Sequence, residues 1–400
     1  MVVADNFGAK FSIAAALALA ALGYISPADA ATESVVYSFR NSDNDGNNPD
    51  ARLVNIAGTL YGTTDQGGDS NNGTVFSIKP RTGIESVLYS FQSNGTDGSL
   101  PQAALTNLSG TLYSTTYNGG PYGLGTVFLI TKTGVESVVH SFSGADGAGP
   151  QADLINIRGT LYGTTQHDGA GGAGTVFSIN PMTGFQTLHS FSGSEGAAPT
   201  GALLNVGGTL YGTTNGGGTN GWGTVYSLEL KNLAEKTLYN FRGGDGGEPN
   251  AALINVRGTF YSTTWQGGAN GVGTVFSITK TGVERVVHSF NGTDGAYPAA
   301  SLININGVLY GTTYYGGGTS CHDPYADGCG VVFSVNPKTN GYNVVYYFQN
   351  DGSDASRPYA PLINVGGTLY GTSSTGGANG VGTVFKLSIP REVLRQTPPS

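Results

Sequence analysis

Seven acidic side chains recur at one place in a repeating pattern. Asp45, Asp97, Asp146, Glu195, Asp245, Asp294 and Asp354 each stand four residues before a proline, and six of them precede a glycine. Carboxylate oxygens set around a ring would suit a hard cation such as calcium. The same residues suit Asx-type turns, in which the side chain accepts from nearby backbone N–H groups. A residue found in every repeat answers a need that all repeats share, so the recurrence favours the turn; Glu195 fits it least. Two further carboxylates, Asp50 and Asp153, occupy corresponding stretches with Arg52. Paired carboxylates do acid and base chemistry on glycosidic bonds, but Asp50 with Arg52 equally reads as a salt bridge. His140, His189 and His288 stand where other repeats have tyrosine and read as structural, while His167 and His322 fall in loops. The glycine-rich stretch 267–274 does not form a phosphate loop, because a strand follows it and no lysine is present. No catalytic constellation assembles, and no cofactor or metal is expected.

Other residues suit binding. The two positions after each Thr-Thr pair vary between repeats, from Tyr117-Asn118, Trp265-Gln266 and Tyr314-Tyr315 to Ser374-Thr375. The residue after each repeat's proline varies as well, and is Asn250 in the fifth repeat and Tyr359 in the seventh. Aromatic faces beside amides suit sugars, whose rings stack while their hydroxyls hydrogen-bond. The expected binding residues are therefore Trp265, Gln266, Tyr314, Tyr315 and Asn250, with Tyr117 and Asn118. Trp222 stands where other loops carry Leu124, Val272 or Val381 and reads as a packing residue. The only two cysteines, Cys321 and Cys329, lie in an insertion of the sixth repeat. Their even number and an exported setting favour a disulfide. A metal site of Cys321, His322, Asp327 and Cys329 is the alternative, but its spacing matches no standard zinc pattern.

These residues are positioned by a repeat. Thr-Leu-Tyr-Gly-Thr-Thr or a near variant starts at Thr59, Thr111, Thr160, Thr209, Thr259, Val308 and Thr368, at intervals of 52, 49, 49, 50, 49 and 60. Each unit has four short β-branched and aromatic segments, as at 249–255, 59–64, 273–278 and 85–91, separated by Gly, Asn, Asp or Pro. Seven such units predict an all-β, seven-bladed propeller with four antiparallel strands per blade. The ends set it apart from a solenoid. A fourth-strand motif occurs at 35–39, before any first-strand motif, and the last unit stops at its third strand, 383–388. The N-terminal strand should therefore complete the last blade and leave no open edge. Within each unit an Asn three before a Gly, such as Asn55, should tighten the first hairpin, because both ends tolerate left-handed dihedrals.

Composition narrows the class. Charged residues are 11% of 400, against about a quarter in an ordinary protein. The net charge of −8 without a Lys/Arg cluster excludes the footprint of a nucleic-acid binder. Aromatics at 10% argue against disorder. The 66 glycines have no three-residue period, which excludes collagen.

The units 33–389 resemble the bacterial GloVer tandem repeat, through Gly-Thr-Leu-Tyr-Gly-Thr-Thr (58–64), a Gly-Gly pair and Gly-Thr-Val-Phe-Ser-Ile (73–78). The order of motifs is also similar to kelch propeller units. The GloVer resemblance implies an exported protein, often with a C-terminal sorting signal; residues 390–400 depart from this in carrying no hydrophobic tail.

Residues 11–25 form an uncharged run after Lys10, followed by Ala28-Asp29-Ala30. This reads as a signal peptide, 1–30, cut after Ala30. Fifteen helical residues span about 22 Å, short of a membrane core, and no later apolar run would span one. The expected organisation is a signal peptide, a propeller over 31–389 and a tail over 390–400. The expected function is a secreted, extracellular or periplasmic binding module for glycan. An enzyme (a glycoside hydrolase or polysaccharide lyase) and an adhesive protein with a protein partner are the alternatives. Oligomeric state is not legible.

Overall fold

The computed structural model describes residues 31–390, apart from 41, 43, 319–320, 323–326 and 350. The expected signal peptide and residues 391–400 of the expected tail lie outside the described residues.

Seven four-stranded antiparallel sheets follow one another along the chain. In the first blade the strands, from the axis outward, are Val54–Ile56, Thr59–Thr64, Thr74–Lys79 and Ile84–Ser90. The seventh blade takes its inner three from the C-terminal end: Ile363–Val365, Thr368–Ser373 and Thr383–Ser388. Its fourth strand is Thr32–Ser38, with Thr32 opposite Ser388 and Ser38 opposite Thr383. The expected propeller and its closure by the N-terminal strand are both present. Further bonds seal the join: Asn379 Nδ2 donates to the Phe39 carbonyl at 2.8 Å, and Thr372 Oγ1 to the Ala51 carbonyl at 3.1 Å.

The core lies between blades. Tyr61, Val75 and Phe91 of the first blade pack with Leu105, Leu112, Phe128 and Ile130 of the second. The join is built alike, with Phe39 and Val384 against Leu53, Leu60, Phe76 and Ile78. No blade buries its apolar face alone, which is why the repeat must close into a ring. The first threonine of each Thr-Thr pair adds polar ties in several blades. Thr63 Oγ1 donates to Ala103 O at 3.2 Å, and Thr213 Oγ1 to Ala251 O at 3.2 Å, each in the segment that enters the next blade's inner strand.

Two local devices shape every blade. The inner hairpin is a type I′ turn in which the residue before the glycine, such as Ala57 (φ 52°) or Arg158 (φ 53°), is left-handed together with Gly58 or Gly159. This corrects the expectation for the asparagines. Asn55 is itself in the strand, opposite Leu60. Its Oδ1 accepts the Gly58 N–H at 3.0 Å, and the bond recurs in all seven blades. The second device is a bulge between the third and fourth strands, at Val75/Phe76 in the first blade and at its equivalent in the others. A bulge re-aims the side chains beyond it. Here it turns the fourth-strand Tyr or His toward the acidic residue that follows.

Candidate functional site

The loop between the second and third strands and the segment entering the first strand lie on one face. They pair directly: Gly46-Asn47 with Gln66-Gly67, Gly98-Ser99 with Asn118-Gly119, and Ala355-Ser356 with Thr375-Gly376. Single bridges such as Gly247 to Gln266 and Ala296 to Tyr315 do the same elsewhere. The variable positions of the two segments are thus brought together around the axis.

An aromatic group occupies this face over blades five to seven. Trp265 and Tyr314 are neighbours, with ring centroids 5.9 Å apart and planes at 49°. Tyr297 lies 5.2 Å from Trp265, and Tyr359 lies 5.9 Å from Tyr314 on the other side. Tyr315 packs edge-on to Tyr314 at 4.6 Å, and the Arg357 guanidinium sits over its ring at 5.4 Å. The rings of Trp265, Tyr297, Tyr314 and Tyr315 are half-buried and Tyr359 is exposed, so the group has both a packed side and an open one. Gly273 lets the chain turn beneath it: at φ +102°, a Cβ there would come within 2.6 Å of Pro298.

The remaining expected residues separate. Asn250 lines the axial channel, where its Oδ1 accepts from Asn215 Nδ2 at 2.5 Å and Thr200 Oγ1 at 3.2 Å. The Gln266 side chain bonds Glu248. Tyr117 lies in the second blade, away from the aromatic group, and donates to Gln166 Oε1 at 3.0 Å. Asn118 is held by its backbone pairing with Ser99. Trp222 packs on the next blade's loop, where a Cβ on Gly247 would meet its ring.

The channel mouth is a well of about 80 Å³, lined by the residue after each proline and, in six blades, by the second residue beyond it. Asp50 accepts from Ser374 Oγ at 2.6 Å. Burial, opposed by that hydroxyl and reinforced by the nearby Asp65 charge, pushes the Asp50 carboxyl up to about 7. Burial raises Asp65 too, against its bond from Gln102 Nε2 at 3.1 Å. Arg52 does not pair with Asp50. Its Nε reaches Asp153 Oδ2 at 3.1 Å, from blade one to blade three, past the small Ala104 of blade two. Asp153 also accepts the Ala104 N–H at 2.7 Å. The acid–base set imagined for Asp50, Arg52 and Asp153 is therefore an ion pair and a separate acid.

The acidic ring is structural. Asp45 accepts from Tyr37 OH and Gly46 N, both at 2.8 Å. Asp97 accepts from Tyr89 OH at 2.7 Å and from Gln92 N at 2.8 Å. His140 and His288 take the place of tyrosine, at 2.8 and 3.0 Å from Asp146 and Asp294. Glu195, unexplained as an Asx residue, uses its extra length to accept from Ser192 N at 2.9 Å and from the hydroxyls of Ser192 and Ser194. Among the described residues no group of three His, Cys, Asp or Glu could hold a metal. Cys321 and Cys329 form the expected disulfide.

The Gloeobacter/Verrucomicrobia repeat model matches residues 8–170 and 107–325. The chain belongs to the Gloeobacter/Verrucomicrobia repeat family. No curated protein matches it. Among solved structures it is similar to an oligogalacturonate lyase in complex with manganese, at 11% identity and a TM-score of 0.54, over 91% of this chain and 92% of that one. It is also similar to the extracellular domain of the one component system BT4673 from B. thetaiotaomicron, at 11% identity and a TM-score of 0.54, over 89% of this chain and 42% of that one. At such identities the likeness is one of fold.

One ring of this repeat-family face escaped the sequence reading. The residue before each proline is left-handed in all seven blades: Asn48, Leu100, Gly149, Ala198, Glu248, Tyr297 and Arg357, with φ between 53° and 64°. Each is clamped between blades; Tyr297 donates to Val272 O at 2.8 Å and accepts from Tyr314 N at 3.2 Å. A side chain in this conformation costs about 1–2 kcal/mol, and glycine avoids that steric cost. Only one blade uses glycine. The bulky occupants Tyr297 and Arg357 belong to the aromatic group, which is where strain of this kind points to function. The available signal was that this position, like the one after the proline, varies between repeats.

Proposed function

We propose that this propeller is an exported module that binds extracellular carbohydrate on the face carrying Trp265, Tyr297, Tyr314 and Tyr359. The observation that carries the reading is the continuity of those rings across three blades, beside a well lined by Gln102, Gln151, Thr200 and Asn250. Aromatic planes supply the apolar contact and amides the orienting hydrogen bonds, which is the make-up of a small-molecule site. An oligosaccharide-acting protein, the oligogalacturonate lyase, shares the fold. Binding is favoured over hydrolysis because Asp153 is committed to Arg52. The charged targeting flank and 11–25 run support export.

A glycan-array screen of the protein, repeated with Trp265→Ala and Tyr117→Ala, tests the reading. Losing one stacked aromatic should weaken binding about ten- to a hundredfold, the equivalent of roughly 1.5–3 kcal/mol. Tyr117→Ala should leave affinity unchanged. A folded Trp265→Ala protein that binds as well as the parent would remove this face from consideration.

A further inference from the structure

The face opposite the aromatic group gathers the cations. In the first blade Leu60 pairs with Ile78, so the inner hairpin after Ile56 and the turn after Lys79 lie at one end of the strands. The other blades repeat this order. Lys79, Arg81, Lys132, Lys231, Lys280 and Lys338 stand exposed in or beside the turns between third and fourth strands. Arg158 and Arg257 stand exposed at two inner hairpins. Among the described residues none of these cations is in an ion pair. Every described aspartate lies in the loops or the channel mouth of the other face. The glutamates on the basic side, Glu33, Glu85, Glu136, Glu235 and Glu284, are half-buried in the seams, and Glu229 alone is exposed. Burial, then a neighbouring acid, raises those five carboxyls, which reduces the negative charge they bring. The sequence shows no basic cluster because successive turns are a whole repeat apart along the chain.

The same turns carry exposed apolar side chains. Ile84, Val135, Met182, Leu233 and Val283, one in each of blades one to five, are 58, 63, 92, 37 and 54% exposed. Single exposed apolar residues need no explanation, but one at the same turn in five consecutive blades does. Met182 is almost wholly in solvent, so packing does not account for it.

We propose that this basic face docks on an anionic lipid surface, with Ile84, Val135, Met182, Leu233 and Val283 entering the headgroup boundary and the lysines and arginines around them meeting the lipid charge. Interfacial segments use that combination: apolar side chains buried at the boundary and Lys/Arg drawn to anionic headgroups. Charge alone would suit any polyanion. The apolar arc sets lipid apart, because a soluble polyanion offers Val135 and Met182 no apolar layer to enter. Docking in this way points the aromatic group away from the lipid and into solution. A second copy laid on the basic face by its acidic face would cover its own aromatic group and set the apolar arc against aspartates. Docking goes beyond the carbohydrate reading and does not depend on it.

Residues 31–400 hold every strand of the closed ring and leave out the apolar run 11–25, which would seek lipid by itself. Cosedimentation of this chain with vesicles of phosphatidylcholine alone, and with about one third phosphatidylglycerol, tests the proposal. The anionic vesicles should bind about tenfold or more tightly, and less so as salt is raised. A Lys132→Glu, Lys231→Glu, Lys280→Glu protein should lose the preference for anionic vesicles. A Val135→Ser, Met182→Ser, Leu233→Ser protein should bind them about tenfold more weakly while keeping its retention on heparin. Should that protein melt below the parent, Met182→Ser alone should still weaken binding about threefold. Equal binding of both vesicle types, or binding of neither, overturns the proposal. An apolar triple variant that binds anionic vesicles as well as the parent overturns lipid docking in favour of a soluble polyanion. Self-association in the ultracentrifuge that the lysine triple variant abolishes, without vesicle binding, assigns the face to a second copy and overturns it likewise.

Discussion

Asn55 is a strand residue that shapes the turn beside it, through a side-chain bond to Gly58. Sequence showed that Asn and Gly recur together, but not which residues carry the positive φ, because Ala57, Arg158 and Arg257 are not types that advertise it. The same blindness hid Tyr297 and Arg357. Before a proline the backbone preference is extended, and only the clamp between blades holds these residues left-handed. The placing of Asp50 and Trp265 on one face was legible, because variation at a fixed place in a repeat marks positions that the shared architecture does not dictate. The account predicts that the pre-proline ring carries strain for the sake of its side chains. Ala198→Gly, which removes only a Cβ at φ 55°, should keep or raise stability by about 1 kcal/mol or less, after the entropic cost of glycine. Urea denaturation of the two proteins checks this; a clear loss of stability would show that the position is unstrained.

At the level of strands, six of the seven seams between blades use one of two solutions, while the seam at His189 combines the histidine with a glutamate, Glu235, in the next blade. Where the fourth strand ends in tyrosine, the next blade presents a glutamate: Tyr37, Tyr89 and Tyr239 meet Glu85, Glu136 and Glu284. Where it ends in His140 or His288, the next blade presents Phe185 or Tyr342, stacked at 3.9 and 3.7 Å. The pairing was not legible, since it joins residues about fifty apart across a bulge. Burial, then the neighbouring acid, pushes Glu85, Glu136, Glu235 and Glu284 up to about 7, and Glu33 up to about 9. A raised carboxyl binds more protons folded than unfolded, so these groups make stability fall as pH rises from about 4.5 through 7. Burial lowers His140 and His189, which act the other way below about 6.5. With five glutamates against two histidines, the melting temperature should be higher near pH 5 than near pH 8. A Glu85→Gln, Glu136→Gln, Glu284→Gln protein, which mimics the protonated seams, should lose much of that slope. An unchanged slope would mean that these carboxyls titrate normally.

On the scale of the whole molecule, seven blades and their closure were legible because the motif order is offset between the two ends. Strand motifs that repeat seven times average out local ambiguity, and the offset has a use only in a ring. Removing residues 31–40 strips the outer strand from the last blade and unpairs Thr383–Ser388 along one edge. It should lower the melting temperature far more than removing 391–400, and equal melting of the two truncations would contradict closure. The proposed ligand location was less legible, because seven blades offer seven candidate loops and only the folded ring shows which aromatics touch. That location is the central claim, and hydrogen–deuterium exchange with and without a saturating glycan from the array tests it most directly. The account predicts slowed exchange in the 262–270, 296–301 and 313–317 segments, and none in the inner hairpin turns on the opposite face. Protection of those turns, or of the outer strands instead of the three face segments, would contradict it.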